Sequence, residues 1–292
     1  MVANRYAEPL TAWYAACARD LPWRAPDRTP WGVLVSEIML QQTPVGRVEP
    51  AWRAWMQRWP APEGLAAAGS AEAIRAWGRL GYPRRALWLW ECAVHLVDAF
   101  GGVVPGDEVS LRALPGVGAY TAAAVASFAF GRRAVVLDVN IARVLTRLVA
   151  GQALPVPSSS VVERALAAEL LPREAAASVR WNQAVMELGA LVCRAGAAAC
   201  EACPLAGSCR WLRLGKPEDV HADRRRVQPY EGTDRQARGR VLAMLRSSAD
   251  PVPVGDVLSA LPRREQAARA VETLVADGLV VRVGDAVALP NG

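Results

Sequence analysis

Leu114-Pro115-Gly116-Val117-Gly118-Ala119-Tyr120-Thr121-Ala122 is the stretch on which the fold turns. A helical stretch precedes it and an apolar helix follows. Gly116 and Gly118 permit a tight turn with positive backbone dihedrals. Such a turn leaves amides pointing outward at the N-terminus of the next helix. That arrangement binds a phosphate without reading base sequence. A bare glycine-x-glycine turn fits an ordinary corner between two helices equally well; the flanking Leu-Pro and Tyr-Thr-Ala make this one more specific.

Outward from that turn, the first 212 residues read as helical. Apolar residues recur at helical spacing over 30–42, 47–59, 70–79, 84–99, 119–130, 138–150 and 180–192. Trp59-Pro60-Ala61-Pro62, Gly101-Gly102 and Leu154-Pro155-Val156-Pro157 separate them. No run here alternates well enough for a sheet, and there is no internal repeat. Residues 213–230 read as a linker that opens with Gly215, Lys216 and Pro217 and runs charged and unpatterned to Pro229. Helices are expected over 232–247 and 263–277, with a shorter one near 254–261. Leu279-Val280-Val281-Arg282-Val283 and Ala286-Val287-Ala288-Leu289 flank Gly284-Asp285, which is a hairpin signal. Three helices and a hairpin suggest a winged-helix module over 231–292; many such modules bind DNA and others mediate protein contacts. The expected fold class is all-α over 1–212, then a linker, then a small winged-helix-like α+β module.

A chain of 292 residues suits one large domain and a smaller one. With 52% hydrophobic and 21% charged residues, a sizeable core is expected and global disorder is not. No stretch of about 18 uncharged apolar residues appears, so no transmembrane helix is expected. The N-terminus has no charged-then-apolar signal pattern, which points to the cytoplasm. The net charge of +6 and pI near 9.3 suit a polyanionic partner. Residues 210–246 hold ten Arg or Lys against five Asp or Glu, which also fits a solvated basic linker. Lys216 is the single lysine of the chain.

Of six cysteines, Cys17 and Cys92 sit alone in apolar helical patterns and read as core thiols. Cys193, Cys200, Cys203 and Cys209 cluster in a C-x6-C-x2-C-x5-C spacing, which in a cytosolic chain favours metal over disulfides. Structural zinc sites usually pair two short cysteine knuckles, and only one C-x2-C is present. A [4Fe–4S] cluster accepts uneven loops and is favoured over zinc. Arg194, Arg210 and Arg213 surround these thiols, placed to offset a cluster's negative charge or to face phosphate.

Two carboxylates stand in unusual settings. Glu37 lies in Val33-Leu34-Val35-Ser36-Glu37-Ile38-Met39-Leu40-Gln41-Gln42-Thr43, so burial is expected to raise its pKa and suit it to donate a proton. A place on a polar stripe with Ser36 and Gln41 is the alternative. Asp138 follows the apolar run Ala134–Leu137 and precedes Val139-Asn140, where a helix N-cap is its ordinary use.

Together the cysteine spacing, the Leu-Pro-Gly-Val-Gly turn, Leu137-Asp138 with Asn140, and Ser36-Glu37 through Gln41-Gln42-Thr43 resemble the endonuclease III superfamily of helix-hairpin-helix glycosylases. The details are similar to its adenine-specific mismatch branch, the MutY glycosylases. The resemblance runs from about Leu21-Pro22-Trp23-Arg24 to Cys209, with four motifs in order. Endonuclease III-type members carry a Schiff-base lysine two residues after the second hairpin glycine; here Tyr120 stands there, and Lys216 lies outside the segment. Those members also lack the glutamate at the position of Glu37.

The resemblance implies a repair enzyme that binds double-stranded DNA containing an adenine mispair, as a monomer, and rotates adenine out of the stack. It places Trp23, Arg24 and Leu40 in the base pocket and Gln183 at the adenine edge. Gln42 and Tyr82 match positions that wedge the duplex near the opposite base. Glu37 is implied as general acid and Asp138 as stabiliser of the positive sugar, with Tyr120 and Asn140 in support. The implied cofactor is a [4Fe–4S] cluster on the four clustered cysteines, shaping a DNA-contacting loop.

The chain departs from the family at its end. Many members carry a Nudix-like domain that checks for 8-oxoguanine, whereas only about 80 residues follow Cys209 here. Two rival readings stand beside the adenine one. One is a bifunctional endonuclease III-like glycosylase and lyase, which lacks its lysine here. The other is a non-enzymatic iron–sulfur DNA-binding regulator, which leaves Glu37 and Asp138 unexplained.

Overall fold

The structure is a computed structural model that describes residues 5–157, 161–224 and 230–290. Part of the linker expected over 213–230, and the first four residues, lie outside the described ones. In chain order the helices are α1 (Ala7–Cys17), α2 (Pro30–Leu40), α3 (Val45–Arg58), α4 (Pro62–Trp77), α5 (Arg84–Phe100), α6 (Glu108–Ala113) and α7 (Ala119–Phe128). They continue with α8 (Val139–Leu145), α9 (Val161–Leu170), α10 (Ala175–Leu191), α11 (Arg210–Arg213), α12 (Asp234–Ser247), α13 (Val254–Ser259) and α14 (Arg264–Ala276). Three short strands complete the set: β1 (Val252–Pro253), β2 (Val281–Val283) and β3 (Ala286–Ala288). The chain divides into two compact units, one from Met1–Arg28, Gly106–Glu108 and Gly118–Arg226, the other from Thr29–Pro105, Val109–Val117 and Val227–Gly292.

In the first unit α10 is the axis on which α1, α7 and α8 pack. Glu174 starts it by accepting from the amides of Ala176 (2.7 Å) and Ala177 (2.6 Å), which satisfies two donors a helix start leaves open. Trp181, Val185 and Leu188 form its buried face. Gly189 near its end lets α8 come close: a Cβ there would lie 2.7 Å from the Asn140 Cβ. The helix begun by α8 widens into a π-helical turn over Thr146–Ala150, a form frequent at functional sites.

In the second unit Thr29 caps α2, its Oγ1 accepting from Gly32 N at 3.0 Å, and Pro30 takes the first helical position. Trp31 through Met39 are all buried. Leu34, Ile38 and Met39 are fully covered, and each such burial contributes roughly 1.5–3 kcal/mol. That packing holds Glu37, on the same helix, inside. Trp55 meets Trp59 and Trp77 edge-on at 4.9 and 5.7 Å. Residues 230–290 add α12 and α14 packed together and a sheet of order β1-β3-β2, antiparallel, with Val252 opposite Val287 and Val281 opposite Ala288.

The helical body and the terminal winged-helix-like module match the expected fold class. Besides the short α11 and single 3-10 turns, three helical pieces fall outside the expected segments, and each has a reason. In α1 only Leu10 is buried, so its apolar period is faint. In α9 the buried positions are Glu163 and Ala167, which no apolar count finds. The start of α4 is alanine-rich and ends at Gly69, whose backbone (φ 84°, ψ 163°) breaks the helix. Among the described residues no helix is long and apolar enough to cross a membrane.

Candidate functional site

The hairpin turn closes with Val117 N donating to Leu114 O at 3.2 Å. Gly116 has φ 75°, and a Cβ there would sit 2.8 Å from the Trp88 Cβ, so both backbone and space require glycine. Gly118 differs from the expectation of a positive dihedral: it is extended (φ −87°, ψ −179°) and forms the N-cap of α7. Gly118 brings no side chain to cap this helix, and a Cβ on it would meet nothing within 4 Å. The second glycine therefore keeps the mouth of α7 open rather than making the turn.

Asp138 is the N-cap of α8, as its ordinary use predicts. Its Oδ1 accepts from Ile141 N at 2.7 Å and its Oδ2 from Asn140 Nδ2 at 2.8 Å. Burial pushes its carboxyl above the usual range; the donors on Ile141 and Asn140 and the charge of Arg143 pull it back only in part. The Asn140 carbonyl accepts from Arg143 Nη2 at 2.8 Å, which fixes which end of the amide faces Asp138. Arg143 also donates to Gly189 O (2.8 Å) and, through Nε, to Cys193 O (2.8 Å). An unbroken series of hydrogen bonds thus joins Asp138 to the backbone of the first clustered cysteine.

The four clustered cysteines line one cavity together with Val192, Ala198, Ala206, Trp211 and Leu212, about 290 Å³ of empty space with its open mouth included. Among the described residues no group of three or more His, Cys, Asp or Glu side chains converges as a single metal ion requires. Four thiol donors lining one cavity form a donor set that suits an iron–sulfur cluster. Arg147, buried on the π-helical turn, donates to Cys193 Sγ at 3.4 Å and to the carbonyls of Arg194 (2.9 Å) and Ala195 (3.1 Å). Its guanidinium lies 4.2 Å from the centre of the Trp211 ring. Arg147, which the sequence reading did not single out beside Arg194, Arg210 and Arg213, thus holds its positive charge against one of these thiols.

Glu37 belongs to the second unit and is 4% exposed. Leu40 ends α2 half-buried, and Gln42 follows it, exposed and left-handed (φ 55°). Tyr82, 44% exposed, is also left-handed (φ 47°). Non-glycine residues rarely adopt this backbone, and among the described residues only Lys216 joins them. One buried side chain holds both corners. Arg85 donates to the carbonyls of Ile38 (3.1 Å), Met39 (3.0 Å) and Gln41, to Thr43 Oγ1 (2.9 Å) and to Gly81 O (3.1 Å). Burial drags its pKa down to about 10, against the weak opposing pull of Tyr82.

Trp23 is buried in a single 3-10 turn, Pro22–Arg24, of the first unit. Arg24 reaches Glu187 Oε2 at 3.0 Å, and Arg19 binds the same carboxylate at 2.7 and 2.8 Å. Gln183 and Tyr120 are half-buried on α10 and in the first turn of α7. Next to Gln183, Asn182 points inward and donates to Ala134 O at 2.9 Å.

A family model described as HhH-GPD superfamily base excision DNA repair protein matches residues 35–172. A protein named adenine DNA glycosylase from Mycolicibacterium smegmatis is 49% identical over 277 residues, 94% of this chain and 92% of its own. The chain belongs to the adenine DNA glycosylases. That match leaves too few residues outside it to exclude the C-terminal module. Of solved structures, a thermostable thymine-DNA glycosylase superposes with a TM-score of 0.65 at 27% identity, over 72% of this chain and 95% of that one. An endonuclease III in a non-covalent DNA complex gives 0.62 at 23% identity, over 74% and 99%, a likeness of fold.

Four residues that organise this glycosylase went unmarked by sequence: Arg85, Arg143, Arg147 and Glu187. Arg143, Arg147 and Glu187 are charges inside largely apolar helical runs, as in Ile141-Ala142-Arg143-Val144-Leu145-Thr146-Arg147-Leu148, whereas Arg85 follows Arg84 at the start of α5. A charge at a core position requires partners, and that was the available signal.

Proposed function

We propose that this chain removes adenine mispaired with 8-oxoguanine or guanine from double-stranded DNA, hydrolysing the N-glycosidic bond and leaving an abasic site. The observation that carries this is the 49% identity to a protein named adenine DNA glycosylase, spread over 94% of the chain. Tyr120 at the Schiff-base position, and a single lysine at Lys216, support hydrolysis without a lysine-driven nick.

In this reading the open N-terminus of α7 takes a backbone phosphate. Adenine leaves poorly as an anion and well once its ring is protonated. Glu37, buried on α2, is the general acid that supplies the proton. Asp138 faces the positive charge that grows on the sugar, and Asn140 holds its orientation. Tyr120 supports this pair, and Trp23, Arg24 and Gln183 contact the extruded base. Gln42 and Tyr82, on strained corners, stand beside the opposite base. A [4Fe–4S] cluster on Cys193, Cys200, Cys203 and Cys209 supplies structure to the loop that carries them, and Arg147 offsets its negative charge. The chain acts as a monomer.

The test is single-turnover adenine release from duplexes with adenine opposite 8-oxoguanine, guanine, cytosine and thymine, for wild type and Glu37→Gln. Release from the first two that vanishes in the variant is the expected result. Borohydride-trapped covalent complexes would move the reading to a lyase. No release by wild type, with tight sequence-specific binding, would favour the regulator.

A further inference from the structure

The adenine reading leaves the C-terminal module without a task. A winged-helix module that reads DNA presents a cationic helix to it. In this chain α14 holds that position, and its Arg264 and Arg269 are balanced by Glu265 and Glu272. Arg269 lies 3.6 Å from Asp234, and Glu272 is engaged by Arg282. Other arginines of the module reach for α4 and α5 of the same unit. Arg246 donates to the carbonyl of Gly78, at the end of α4. Arg75 on α4 donates to Ser248 O at 3.5 Å. Asp277 ties Arg84 on α5 (3.3 Å) to Arg238 on α12 (2.5 Å). Ser70 Oγ donates to Pro290 O at 3.1 Å, and Gly278 passes so close that a Cβ would be 3.5 Å from Leu87 Cδ2.

These contacts bracket one segment, the loop over residues 78–83 between α4 and α5. Inside it Trp77 Nε1 donates to Gly81 O at 2.9 Å. At its tip the Tyr82 ring has two guanidinium neighbours: Arg85 at 5.2 Å and, from the module, Arg235 at 6.0 Å. A left-handed tyrosine persists only where its surroundings over-determine it. Arg85 supplies that restraint from the core side, and the module supplies it from the other.

We propose that the C-terminal module is a brace for the loop over 78–83, with Arg246 and Arg235 as its positioning residues. By fixing where Tyr82 stands, it sets the preference among bases opposite the adenine. The consequence for preference rests on the adenine reading; the brace itself does not.

Hydrogen exchange over residues 78–85 is measured on the full chain for wild type, Arg235→Ala, Arg246→Ala and Arg246→Lys. Adenine release opposite 8-oxoguanine and opposite guanine is measured on the same proteins. The brace predicts faster exchange over 78–85 in both alanine variants, with α10 unchanged. It also predicts a fall of at least about fivefold in the ratio of the two release rates. Lysine at 246 keeps a donor for the Gly78 carbonyl and recovers part of both. Arg235 is exposed, so its variant carries the test if Arg246→Ala does not fold. Unchanged exchange in the alanine variants overturns the brace. Faster exchange at an unchanged ratio overturns its hold on preference. A wild type that releases no adenine sinks the adenine reading instead, and the exchange result still decides the brace.

Discussion

Replacing Arg85 removes the donor for five acceptors at once, those on Ile38, Met39, Gln41, Thr43 and Gly81. Each buried acceptor left bare costs roughly 1–3 kcal/mol, and the carbonyls of Gln41 and Gly81, nearer the surface, recover water in part. Against this stands the cost of burying the charge. Arg85 is 3% exposed, and a pKa lowered from 12.5 to about 10 corresponds to about 3 kcal/mol of unfavourable burial. Methionine fills the space without that cost, so the net loss for Arg85→Met is about 4 kcal/mol, the scale of a broken buried charge network. Lysine keeps the charge with three donors for the five acceptors, and its loss is about 2 kcal/mol. The assay is urea unfolding followed by tryptophan fluorescence and far-UV circular dichroism. A lower midpoint with an unchanged slope is expected, because the variants disturb a local network and not the surface exposed on unfolding. The same variants should lose preference for 8-oxoguanine before they lose adenine release from the guanine duplex, since Arg85 holds the Gln42 and Tyr82 corners and not Glu37. An Arg85→Met protein within about 1 kcal/mol of wild type would refute the reasoning, because the buried acceptors on Ile38, Met39 and Thr43 cannot lose this donor at so small a cost, even with Gly81 O still held by Trp77 Nε1.

Burial alone would raise the Glu187 carboxyl, but the hydrogen bonds from Arg19 and the charge of Arg24 hold it at about 2, below its ordinary 4.5. Its stabilisation, about 3 kcal/mol, is therefore whole above pH 4.5 and fades as the pH falls toward 2. The stability gap between wild type and Glu187→Gln, measured by urea unfolding at pH 6 and pH 3, should shrink at the lower pH; a constant gap would contradict the pairing. Arg143→Met frees the Asn140 amide to turn away from Asp138, and adenine release should slow roughly 10- to 100-fold with duplex affinity little changed. Equal losses in rate and affinity in that variant would mean that Arg143 supports the fold and not Asp138. Gly116→Ala combines a positive φ with a contact at 2.8 Å to Trp88, and should cost about 2 kcal/mol or more in unfolding stability. Gly118→Ala, with an extended backbone and open space around it, should leave stability within about 0.5 kcal/mol and weaken DNA binding instead, as read by a fluorescence-anisotropy titration.

The helices legible in the sequence are those that bury a continuous apolar stripe. The run from Trp31 to Met39 is wholly buried in α2, and the expected bounds overran the helix by only two residues. Those two, Gln41 and Gln42, follow the helical period, yet the backbone turns left-handed at Gln42. Periodicity records which face a residue would take if the helix continued; it carries no record of a distant arginine that binds the last carbonyls and ends it. The same limit hides Tyr82, whose position reads as an ordinary Gly-Tyr-Pro turn.

The four cysteines were legible because metal ligation constrains spacing along the chain, and a local pattern records it. Asn140 beside Asp138 was legible for the same reason, whereas its link to Cys193 was not, because Arg143 makes it through contacts 46 to 50 residues away. Yet the chain did carry a mark of that link. An arginine in Ile141-Ala142-Arg143-Val144-Leu145 costs several kcal/mol to bury unless carbonyls or carboxylates receive it. A sequence that keeps such a charge on a core face declares a buried acceptor set without naming it. Arg85 answers to the end of α2, Arg143 to Asn140 and Cys193, Arg147 to the cysteine loop and Glu187 to Arg19 and Arg24. Each of these charges ties a functional corner to the body of its unit. In this chain, then, Arg143, Arg147 and Glu187, each interrupting an apolar period, point to buried partners that periodicity alone does not name.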